Sequence, residues 1–65
     1  MSVIAVELSR RERDVAAQYG LGYSVQRVAE RLHISPRTVE THVRNIYGKL
    51  AIRSRDELID FWRTQ

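Results

Sequence analysis

Apolar residues recur along this chain at helical spacing rather than in alternation. The clearest stripe is Val39, Val43, Ile46 and Leu50, which keeps a 3.6-residue period. Val28, Ala29 and Leu32 form a shorter stripe, and Leu58, Ile59 and Trp62 another. Each segment is preceded by a start signal. Ser9-Arg10-Arg11-Glu12 has the form of a capping box, in which the serine hydroxyl and the glutamate carboxylate satisfy backbone N–H groups reciprocally. Ser54-Arg55-Asp56-Glu57 repeats that form. Ser24 is a further N-cap candidate, and Ser35-Pro36 sets a cap before a proline suited to the first helical position. Gly20-Leu21-Gly22 closes the first segment. The pattern predicts four helices, over about residues 10–19, 25–32, 36–50 and 55–63, and hence an all-α fold.

Only His33-Ile34-Ser35 joins the second and third helices. So short a connection suits two helices crossing steeply in a helix-turn-helix. Ala29 is small enough to let the third helix cross closely, and Ile34 can plug the turn into the core. The expected architecture is a four-helix bundle containing a helix-turn-helix over residues 8–65, preceded by an extension or linker remnant at 1–7.

Composition narrows the function. The chain has 65 residues, room for one small domain. It has no cysteine, so neither disulfide nor thiolate metal site is available. His33 and His42 have no partners at metal-ligand spacing, and no cofactor or metal is expected. His42 flanks the core stripe and reads as a packed, hydrogen-bonded histidine. No apolar run suits a membrane span or signal peptide, so a cytoplasmic location is expected. Net charge is +3, unevenly placed. Residues 35–55 carry Arg37, Arg44, Lys49, Arg53 and Arg55 against Glu40 alone, a net +4, whereas residues 56–65 are net −2. Positive charge gathered on one segment is the electrostatic pattern of nucleic-acid binding, although a solvated helix face gives the same signal.

Leu8-Ser9-Arg10-Arg11-Glu12-Arg13-Asp14-Val15 resembles the opening of the LuxR/FixJ-type DNA-binding domain. Gly22, Ser24, Val28, Ala29 and Leu32 match that family's second helix. Ile34, Ser35, Thr38, Val39, His42, Ile46, Lys49 and Leu50 match its recognition helix, and Ser54, Arg55 and Glu57 the start of its fourth. The resemblance implies a transcription regulator that binds double-stranded DNA as a homodimer. It also implies that the domain is the effector part of a larger protein with an upstream sensor or receiver domain, with RNA polymerase as a further partner. Carried over by position, Glu40, Thr41 and Arg44 are the expected base-contacting residues. Arg44 suits guanine, Thr41 a thymine methyl or a base edge, and Glu40 a cytosine amino group. Glu40 can instead pair with Arg44 along the helix surface. Ser24, Gln26, Arg37, Thr38, Lys49 and Arg53 are the expected phosphate contacts. Glu57, Leu58 and Phe61 are the expected dimer contacts.

Two positions depart from the family pattern. Arg27 stands where relatives often carry glutamate, which removes the box after Ser24. Ala51 stands where glycine is usual, and Gly48 comes too early to replace it, so the third helix could end sooner. Other functions remain open on the sequence. A promoter reader within RNA polymerase shares the four-helix arrangement, and a protein-interaction module could keep the fold without DNA binding. Such a module has no need of outward Arg37, Arg44, Lys49 and Arg53. An enzyme is not expected, because no paired nucleophile and base or metal constellation is present.

Overall fold

The computed structural model describes residues 8–63, so the expected extension at 1–7 lies outside the described residues. Among the described residues four helices follow in chain order: α1 (Arg10–Gly20), α2 (Val25–Leu32), α3 (Pro36–Leu50) and α4 (Arg55–Arg63). The starts are local. Ser9 Oγ accepts from the Glu12 N–H at 3.1 Å while the Ser9 N–H donates to Glu12 Oε1 at 2.9 Å, completing the box on α1. Ser24 accepts from the Arg27 N–H and Ser35 from the Thr38 N–H, each at 3.1 Å. The box expected on α4 is only half made. Ser54 Oγ accepts from the Glu57 N–H, but the Glu57 carboxylate accepts from the N–H of Arg53, one residue before the cap. Arg27 leaves Ser24 with a single cap bond and pairs along the surface with Glu30 at 3.3 Å.

Helices α2 and α3 end alike. His33 and Ala51 both adopt the left-handed conformation, at φ 58° and 56°. Ile34 N–H then donates to Ala29 O, and Ile52 N–H to Tyr47 O, each at 3.0 Å. These are Schellman closures, and both isoleucines turn back onto the core. Helix α3 therefore runs unbroken through Gly48 to Leu50 and stops at Ala51, where glycine would be the less strained residue.

The core comprises Leu8, Val15, Ala16, Val28, Ala29, Val39, Val43, Ile46 and Leu58. Helix α1 packs against each of the other three, α2 packs on α3, and α4 rests mainly on α1. Gly20 faces Trp62 of α4, and a Cβ there would sit at an ordinary contact distance of 3.8 Å from it. Arg55, at the start of α4, stacks on the Tyr19 ring at 3.6 Å and donates to Tyr23 O. Helix α1 is also tied to the end of α2, where Arg11 donates to Leu32 O at 3.2 Å. His42 is packed beside the core stripe, but the hydrogen bond expected of it is not made at Nδ1, which is buried without a partner among the described residues. Among the described residues no helix is long and apolar enough to cross a membrane.

Candidate nucleic-acid interface

Helix α3 has two faces because its apolar period matches its turn. Val39, Val43 and Ile46 are buried against α1 and α2. Arg37, Glu40, Thr41, Arg44, Asn45 and Gly48 lie on the other side, all exposed. The helix has 15 residues, a rod about 22 Å long, fixed along one side and bare along the other.

The three expected base-contacting residues fall together on this bare face. Arg44 and Glu40 do not form the surface pair that their spacing allows, and neither has a side-chain partner among the described residues. The Thr41 hydroxyl donates back to Arg37 O at 3.1 Å, so its proton is already engaged. What Thr41 can present outward is its methyl group or an accepting oxygen.

The expected phosphate contacts separate. Ser24 and Gln26 are exposed at the start of α2, and the Ser24 hydroxyl, which accepts from Arg27 N–H, keeps its own proton for an anion. Arg37 and Thr38 are exposed in the first turn of α3, where the Thr38 and Ser35 hydroxyls share a 2.8 Å hydrogen bond. The Thr38 N–H is taken by the cap, so this turn would address a phosphate through side chains. Arg53 is exposed just past α3.

Lys49 departs from expectation. Its ammonium lies 2.7 Å from Glu12 Oε1, joining the end of α3 to the start of α1 across 37 residues of sequence. Glu12 is 5% exposed. The Lys49 hydrogen bond, foremost, and the Ser9 N–H hold its carboxyl below the usual glutamate range, against the opposing effect of burial. Lys49 therefore ties α3 to α1 in the free chain while its side chain stays 42% exposed, and Arg55, stacked on Tyr19 and bonded to Tyr23 O, is partly buried.

The sequence offers Glu12 only as part of the capping box. The missed signal is that Lys49 lies three residues after buried Ile46, on the edge of the inner stripe.

Among the expected dimer residues, Leu58 is completely buried and belongs to the core, so it presents no surface to a partner. It continues the inward stripe of α4. Glu57 is exposed and Phe61 is half-buried against the core. Tyr47 is half-buried too, and burial together with neighbouring Tyr19 raises its phenol above the ordinary value, with Arg55 opposing.

Residues 6–62 match the sequence pattern of the bacterial regulatory proteins, luxR family. The chain belongs to the LuxR family. An HTH-type transcriptional regulator of Mycobacterium bovis is 45% identical over 53 residues, covering 82% of this chain and 6% of that protein. The transcriptional regulatory protein LnrK of Bacillus subtilis is 42% identical over 52 residues, 80% of this chain and 24% of LnrK. The oxygen regulatory protein NreC of Staphylococcus aureus is 37% identical over 54 residues, 83% of this chain and 25% of NreC. The chain thus spans a quarter or less of these relatives' lengths. The LuxR family is one of regulatory proteins rather than an enzyme class, and its helix-turn-helix corresponds here to α2 and α3.

Proposed function

We propose that this chain binds double-stranded DNA with sequence preference and so regulates transcription, with α3 in the major groove. One observation carries this role. The outward face of α3 sets Arg37, Glu40, Thr41 and Arg44 in the open on a helix whose other side is locked into the core. The two arginines have no ion pair among the described residues to satisfy them. An α-helix fits the major groove, where arginine donates to guanine O6 and N7. Arg44 and Thr41, whose methyl suits thymine, are the base-reading pair, and Glu40 can accept from a cytosine amino group. Ser24, Gln26, Arg37, Thr38 and Arg53 hold the sugar–phosphate backbone.

The small share of each relative that this chain spans supports its being the effector domain, residues 8–65, of a larger sensor or response regulator. A homodimer would form through the outer face of α4 around Glu57 and Phe61, and RNA polymerase is the machinery it would influence.

Selection from a random DNA library at stated salt, with wild type and Arg44→Ala in parallel, tests the base-reading role. Wild type should enrich a defined site. The variant should lose about 1–3 kcal/mol of discrimination at one base pair. Unchanged discrimination would remove Arg44 from the base-reading set.

A further inference from the structure

Resting on the DNA-binding role proposed above, we infer that Gly48 is a close-approach point, where the bare backbone of α3 meets the sugar–phosphate wall of the groove. Gly48 lies nine residues after buried Val39, two and a half turns on, and so on the opposite side of the helix. It follows Thr41 by seven residues and Arg44 by four, which sets all three on one face. Nothing among the described residues calls for glycine there. A side chain built at this position would meet no atom within 4 Å, and the backbone is not left-handed. Glycine is nevertheless a poor helix former, so it lowers the stability of α3 with no return inside the fold.

The geometry of the groove supplies a reason. A recognition helix reads bases mainly with its N-terminal residues, and the groove curves away from a straight rod about 22 Å long. With Thr41 and Arg44 over the bases, the helix must pass the groove wall on its way out. Gly48 is about 10 Å further along the axis than Thr41, where that crossing falls. A missing side chain lets the helix backbone approach the wall. Any side chain there would tilt the C-terminal half of α3 out of the groove and draw Thr41 and Arg44 off the base edges, while Arg37 and Thr38 at its N-terminal end stay on the backbone.

The test sets two readouts against each other. Gly48→Ala and Gly48→Leu are compared with wild type by thermal melting and by DNA affinity across a salt series. Gly48→Ala should raise Tm by roughly 4–8 °C, as expected for replacing a helical glycine. It should also weaken binding about tenfold, a typical effect of overpacking, and Gly48→Leu should weaken it further. The slope of log affinity against log salt should stay the same, because no phosphate contact is gained or lost. Equal or tighter binding by Gly48→Ala, a lowered Tm, or a changed salt slope would each overturn the inference. If wild type selects no sequence at all, the DNA-binding role itself fails. If wild type selects a site and Gly48→Ala binds it equally well, only the close approach fails.

Discussion

At the scale of single residues, α3 divides its cations between two tasks. Arg37 and Arg44 are exposed on the outer face, with no ion pair among the described residues, whereas Lys49 bonds to Glu12. Both tasks are filled by basic residues in one run, so charge alone does not separate them. The separation is testable. Lys49→Met keeps the aliphatic stem but leaves the Glu12 carboxylate with only its Ser9 contacts. Removing the partner of a buried acceptor costs about 1–3 kcal/mol. The lower end applies, because the Lys49 side chain is 42% exposed and solvent screens the pair. The variant should therefore melt lower, while its DNA-binding salt slope matches wild type. Acid provides a second check. The folded-state pKa of Glu12 lies below its unfolded value, so its contribution is fully present above about pH 4.3 and is lost as pH falls through the lower, folded value. Wild type should lose stability across that acid window, and Lys49→Met should lose less over the same range.

At the scale of helices, most of what forms α1 to α4 is local, and so was legible in the sequence. A serine hydroxyl caps the backbone three residues ahead of it, and the apolar period identifies the inward face. These two signals placed all four helices, with α1 ending one residue later than expected. Ties between distant residues were not legible: Lys49 to Glu12, Arg11 to Leu32 O, and Arg55 on Tyr19. Their spacings follow from how the helices cross, which no local pattern encodes. The second capping box failed for a related reason. Its glutamate had a choice of two adjacent N–H groups and took that of Arg53. The end of α3 shows a conflict that the sequence did signal. Ala51 is left-handed, which costs an L-residue about 1–2 kcal/mol. Ala51→Gly should raise the melting temperature by several degrees, on the scale of about 4–8 °C per kcal/mol for a domain of this size. An unchanged or lower melting point would show that the alanine side chain is held by a contact worth as much as the strain.

At the scale of the whole molecule, the core is small and each element adds little to it. Leu58 is the one fully enclosed side chain of α4. Leu58→Ala should cost about 2–5 kcal/mol, comparable to the entire stability that a core of this size supplies, about 3–5 kcal/mol. Circular dichroism should show the variant largely unfolded at 37 °C; a cooperative native melt above that temperature would contradict the prediction. The packing scheme has one further consequence. Because α4 rests on α1, and α1 in turn braces α3, the outer face of α4 and the outer face of α3 are two ends of one lever with α1 as its fulcrum. Trp62 against Gly20 bears on one arm, and Lys49 against Glu12 bears on the other. A substitution that loosens α1 should therefore loosen α3 and α4 together, although neither of them is changed.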